Sequence, residues 1–243
     1  MTLSQATSND DAWIAKPSGV ETYMIQPEAS KANGNILLYF PDVWGMFTNG
    51  LLVMDGFADA GYLVLGLDYF RGDPVWKHRR NRHDRSNPGF DYEAWKQKHM
   101  AFADEAVPQW IEEVKHIYGK PSTKYACVGY CFGAPYVCNE LAMDTVSAGA
   151  FAHPAFLKES HFANIHKPLF LSCAKEDHTF NQEARRAAVD VLNSGEKIYQ
   201  LQVFSGVEHG FALRGNMEDA YERYVKEQSL KSIVEWFDFW LSQ

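Results

Sequence analysis

Val128-Gly129-Tyr130-Cys131-Phe132-Gly133-Ala134 is the stretch on which the fold of this chain turns. It has the G-x-nucleophile-x-G spacing of a nucleophile elbow, with cysteine where serine is usual. Ahead of it, Lys124-Tyr125-Ala126-Cys127-Val128 is a short apolar run with strand character, and Ala134 to Met143 behind it has the composition of a helix. Strand, sharp turn and helix are the context that such an elbow needs. The glycines have a steric task, because a side chain at 129 or 133 would collide with the neighbouring strand and helix. The turn lifts the sulfur above the sheet and sets it at a helix N-terminus, whose partial positive charge favours thiolate. The same residues also fit a buried structural cysteine between two chance glycines, so the rest of the chain has to decide.

Outward from the elbow, apolar segments alternate with helical ones. Val20 to Ile25 alternates as an edge strand would. Residues 35–40, 62–68, 147–152, 168–174 and 197–204 predict further strands, several with the continuous apolar character of buried parallel strands. Residues 49–60, 92–118, 182–193 and 217–241 predict helices, and Pro108 is expected to kink or divide the longest. Residues 1–19 are expected to be a poorly ordered lead-in to a single domain over 20–243. The polar segment 69–90 is long for a compact domain unless it is functional; its charge run, Lys77 to Arg85, reads as solvated surface. Alternating strands and helices without internal repeats imply an α/β fold, a mostly parallel sheet with helices on both faces. Chemistry then belongs beyond the carboxyl ends of the strands. Asp42, Cys131, His153, Asp177 and His209 each follow a predicted strand.

Composition narrows the function classes. With 243 residues, 46% hydrophobic and 14% aromatic, the chain has material for one large core. A net charge of −8 with both signs interspersed argues against nucleic acid or an anionic membrane as partner. No apolar run approaches the roughly 18 residues of a membrane span. Met1 to Asp11 is polar and acidic, with neither the basic nor the apolar region of a signal peptide, so a cytoplasmic location is expected. Cys127, Cys131, Cys138 and Cys173 suit a reducing compartment as free thiols. Cys131 and Cys138 are not spaced C-x-x-C, and no histidine pair completes a zinc site, so no metal is expected. Monomer and homodimer both remain open.

A thiol that attacks an acyl carbon needs a base for its proton and a carboxylate to orient that base. Cys131, Asp177 and His209 occur in the nucleophile–acid–histidine order of α/β-hydrolases. His153 precedes the acid, the wrong order for the base, and is assigned to the pocket wall. His78, His83, His99, His161, His166 and His178 read as surface residues. The oxyanion needs two preorganised N–H donors. One is expected from Phe132, next to the nucleophile, and the other from Val43, in the loop after an early strand.

These residues resemble the dienelactone hydrolase family, the cysteine branch of the α/β-hydrolases. The matching pieces are Phe40-Pro41-Asp42-Val43-Trp44-Gly45, Gly61-Tyr62-Leu63-Val64, Gly129-Tyr130-Cys131-Phe132-Gly133, Glu176-Asp177-His178 and Glu208-His209-Gly210-Phe211, in family order over roughly residues 20 to 240. In detail they look most like the fungal-type members. The resemblance implies a small-molecule hydrolase that opens a lactone or cleaves a small ester with a Cys–His–Asp triad and no cofactor. It also implies that an acid after the first buried strand holds the resting thiol. Asp42 matches that acid, where the best-known members have glutamate. Family substrates carry a carboxylate clamped by arginine, and Arg71 and Arg214 stand at matching places; Trp44 and Tyr130 would lie near the pocket. The same scaffold could instead serve as a biosynthetic cyclase, acyl transferase or C–C bond-cleaving enzyme, or as a non-catalytic binding protein.

Overall fold

The third strand, β3 (Ile36–Phe40), shows why the chain builds two cores around one sheet. All its residues are buried, and successive side chains point to opposite faces. Leu38 and Phe40 enter one apolar core, Leu37 and Tyr39 the other. The structure, a computed structural model, describes residues 12–81 and 83–243, with side chains from residue 15 onward. Its strands are β1 (Ala12–Ala15), β2 (Thr22–Ile25), β3, β4 (Leu63–Leu67), β5 (Tyr125–Tyr130), β6 (Ala148–Ala152), β7 (Leu169–Glu176) and β8 (Tyr199–Glu208). They form one sheet in the order β1-β2-β4-β3-β5-β6-β7-β8. β1 and β2 run antiparallel to their neighbours, and every pairing from β4 onward along the sheet is parallel.

Helices cover both faces. On one face lie α2 (Tyr92–Tyr118), α3 (Ala134–Leu141), α4 (Glu159–Asn164) and α5 (Gln182–Ser194), which contribute Trp110, Val137, Phe162 and Leu192 to the core. On the other lie α1 (Thr48–Asp59), α6 (Phe211–Arg214) and α7 (Ala220–Ser242), contributing Phe57, Leu213 and Phe237. No described helix is long and apolar enough to cross a membrane.

Several expectations change. Residues 12–19 are not a loose lead-in: β1 pairs with β2, so β2 is not an edge strand, and the Ser18 hydroxyl bonds Glu113 on α2 at 2.8 Å. The expectation for residues 1–11 lies outside the described residues. Pro108 does not divide α2, which runs unbroken from an Asp91 cap accepting the Ala94 N–H at 3.0 Å. His99 is fully buried, not at the surface.

Strand register positions the site. Tyr130 is level with Ala152, so Cys131 and His153 leave neighbouring strands together. A bulge between Ala174 and Glu176 brings Glu176 level with Glu208. The next residues, Asp177 and His209, therefore emerge side by side.

Candidate active site

The elbow at the end of β5 is as tight as its glycines require. A Cβ on Gly129 would lie 2.6 Å from the Gly133 carbonyl oxygen, and one on Gly133 would run into the Phe40 carbonyl. Cys131 itself adopts φ 49°, a strained left-handed conformation for a residue with a side chain. The strain is held in place from outside, since the Ala155 N–H donates to the Cys131 carbonyl at 3.0 Å. The thiol is nearly covered, with the residue 5% exposed.

His209 and Asp177 meet as their register dictates. Nδ1 of His209 lies 2.9 and 3.0 Å from the two Asp177 carboxylate oxygens. Cys131 acts on the same ring electrostatically. Burial disfavours an imidazolium at His209, but the negative charge of Cys131 and the bond to Asp177 outweigh it, raising its pKa to about 10. Asp177 is also buried, which works against its charge, yet His209 and Thr179 hold its pKa below the ordinary value. Thr179, absent from the expected site, places its hydroxyl 2.7 Å from Asp177 Oδ1, 2.8 Å from the Pro154 carbonyl and 2.9 Å from His209 Nδ1. The Asp177 carboxylate also accepts the Thr179 N–H at 2.8 Å, the hydrogen bond that closes the turn after β7.

Phe132 and Val43, the expected oxyanion donors, follow β5 and β3 respectively. Phe132 lies in the first turn after β5, where helical N–H groups have no intrahelical acceptor. The Val43 N–H has no acceptor among the described residues, while its carbonyl accepts from Val75 at 2.9 Å. Asp42 shapes that turn: its fully buried carboxylate accepts the Trp44 N–H at 2.8 Å and pairs with the Arg214 guanidinium. Arg214 also lies over Trp44, 5.4 Å from the ring centroid. Asp42 and Arg214, expected respectively to hold the thiol and to clamp a substrate carboxylate, are thus engaged with each other. Arg71 is exposed and rests 4.3 Å over Phe102 of α2.

His153 lies in the wall behind the histidine. It is fully buried, 5.1 Å edge-on to His209, 5.7 Å from Tyr130 and 5.7 Å from Phe211. Burial, then the charges of His209 and Arg214, push its pKa well below the ordinary histidine value, so it stays neutral. Tyr130 is buried against Tyr39, with ring centroids 5.4 Å apart.

Comparison with known proteins identifies the family. The model of the dienelactone hydrolase family matches residues 20–241. The chain belongs to the dienelactone hydrolase family. Its fungal relatives include Dienlactone hydrolase 2 of Gibberella moniliformis, 41% identical over 93% of this chain and 86% of the relative. Dienlactone hydrolase 1 of the same fungus is 40% identical over 95% and 88%. Among solved structures, a putative dienelactone hydrolase from Klebsiella pneumoniae superposes with a TM-score of 0.74 over 96% of this chain and 97% of that one, at 12% identity. The fold is that of the α/β-hydrolases, and this family member is an enzyme of the carboxylic ester hydrolase type.

Two further features of this dienelactone hydrolase family protein lay beyond the sequence reading. Asp177, His178 and His209 offer possible metal-ligand atoms within 4.8 Å of one another, but Asp177 and His209 already direct theirs at each other. The 69–90 segment is anchored through Asp73, whose carboxylate lies 2.6 Å from His78 Nε2, 3.1 Å from His99 Nε2 and 3.1 Å from Lys98 Nζ. An aspartate in a polar loop carries no sequence signal that two histidines and a lysine will converge on it.

Proposed function

We propose that this protein hydrolyses a small lactone or carboxylic ester, one bearing a carboxylate, with Cys131 as nucleophile, His209 as general base and acid, and Asp177 as the group that orients it. The observation that carries this reading is the His209–Asp177 pair, with Nδ1 2.9 and 3.0 Å from the two carboxylate oxygens, on the same edge of the sheet as the strained Cys131 turn. With Nδ1 directed at Asp177, the remaining ring nitrogen serves the sulfur. The thiolate attacks the carbonyl carbon, and the Phe132 and Val43 N–H groups hold the oxygen as it gains charge. Collapse of that adduct breaks the carbon–oxygen bond, and His209 gives its proton to the departing alkoxide. The acyl group is left as a thioester on Cys131. Water, losing a proton to His209, then attacks the thioester and releases the acid and the thiolate. Asp42 acts on this reaction through its bond to the Trp44 N–H, which fixes the turn that presents Val43.

The test is turnover of a chromogenic ester with and without prior iodoacetamide, combined with mass spectrometry of rapidly quenched enzyme. Alkylation and the Cys131→Ala substitution are each expected to lower turnover by about 10³-fold or more, and the quenched protein should carry the acyl mass on Cys131. Turnover that survives either treatment at the native rate refutes the assignment.

A further inference from the structure

The turn that follows β6, His153-Pro154-Ala155-Phe156, touches each part of the candidate site. The Ala155 N–H donates to the Cys131 carbonyl at 3.0 Å. The Pro154 carbonyl accepts the Thr179 hydroxyl at 2.8 Å, and that hydroxyl reaches Asp177 and His209. The Phe156 ring meets that of Phe132 at 5.9 Å. The turn is strained at both ends, with φ 37° at His153 and 59° at Phe156. Strain of this kind persists only where the surroundings over-determine the backbone, and it gathers where position matters. At His153 the backbone is pinned by its own N–H, which donates to the Ser172 carbonyl of β7 at 2.9 Å.

The side chain pinned in this way is fully buried, and neither ring nitrogen has a hydrogen-bond partner among the described residues. What the ring offers its neighbours is its faces and edges. His209 lies 5.1 Å away with the two planes at 77°, and Tyr130 and Phe211 close other sides at 5.7 Å each. An aromatic ring within about 6 Å of a cation attracts it. His209 becomes a cation when it takes the proton of the thiol.

Titratable groups surround this pair of rings from several elements. Cys131 comes from the elbow and Tyr130 from the end of β5, Asp177 and His178 from the turn after β7, and Arg214, paired with Asp42, from α6. Among them His153 stays uncharged, because burial and the charges of His209 and Arg214 oppose its protonation. It supports an imidazolium without competing for the proton.

We propose that His153 is a positioning residue for His209: its locked ring backs the imidazole, holds its tilt between Asp177 and Cys131, and steadies the protonated form. The inference rests on the reading of His209 as the base for Cys131 and adds the group that sets how firmly that base keeps its proton.

The test removes the ring while filling its space with apolar atoms, in His153→Leu and, should that variant not fold, in His153→Met, whose flexible chain adapts to the site. Two quantities are followed against pH. One is kcat/KM for para-nitrophenyl acetate. The other is the ring pKa of His209, from NMR of histidine-labelled protein assigned with His209→Gln. Phe237→Leu, in the core between α7 and α1, reports the effect of lost packing alone. In the His153 variant the His209 pKa and the alkaline limb of kcat/KM should both move down by about 0.5–1 pH unit, the range of a buried contact between cation and ring. In Phe237→Leu both should stay within about 0.2 unit of native, as expected for a distant site. A His209 pKa unmoved in a folded His153 variant, or moved equally in Phe237→Leu, overturns the proposal. Should the native enzyme leave the ester intact, the hydrolase reading fails, while the NMR titration needs no substrate and still decides the role of His153: a lowered pKa supports it and an equal one overturns it.

Discussion

Thr179 joins the candidate site to its surroundings with one hydroxyl, within 2.7–2.9 Å of Asp177, Pro154 and His209. Thr179→Val keeps the shape and leaves those groups a partner short, which should cost about 1–3 kcal/mol in urea unfolding. The same change lets the histidine ring turn more freely, and kcat/KM is expected to fall about tenfold. Native kinetics in Thr179→Val would show that Asp177 orients the ring unaided. Sequence made Cys131, Asp177 and His209 legible, because order and position after strands are one-dimensional signals. Thr179 gave none: a threonine two residues past an acid is commonplace, and its role arises only where the turn after β7 folds back on the loop after β6. Asp42 and Arg214 are 172 positions apart, and nothing short of the fold pairs them.

At the scale of elements, the segment between β4 and α2 owes its order to Asp73. Burial works against its charge, but bonds to His78, Lys98 and His99 prevail and lower its pKa to about 2. The Asp73 backbone carbonyl also accepts the Trp95 indole N–H at 2.9 Å. Asp73→Ala removes the carboxylate that faces buried His99, at an expected cost of about 1–3 kcal/mol after allowance for its partial exposure. Limited proteolysis should then cut within residues 74–90 faster than in the native protein, while the β5–α3 elbow stays protected. Cleavage at the native rate would mean that the aromatic stack of Phe70, Trp95 and Tyr92 suffices to hold the segment. Length and polarity marked this loop as functional, but not which of its cations face inward; that is set by contact with α2. Pro108 teaches the converse: local propensity predicts a break, and packing of Val107, Trp110 and Ile111 in the core overrides it.

For the whole molecule, the buried His209–Asp177–Cys131 cluster links stability to pH. His209 binds its proton more tightly in the folded state, up to about 10 against an ordinary 6.5, so its contribution is complete below pH 6.5 and drains as pH rises toward 10. Asp177, held below its ordinary 3.8, acts oppositely: its contribution is present above that pH and is lost in acid. Thermal unfolding should therefore show Tm falling from neutral pH to about pH 10, with a shallower fall in His209→Gln. Identical slopes in both proteins would assign the alkaline loss to other groups. The sequence by itself determined the α/β architecture and the line of candidate residues at strand ends, because hydrophobic period, glycine sterics and chain order are local or serial properties. Only the tertiary structure decided which charged groups share a site. Arg214 is neutralised by Asp42 and Asp177 faces His209, because these pairings depend on register, a β-bulge and loop packing between residues far apart in the chain.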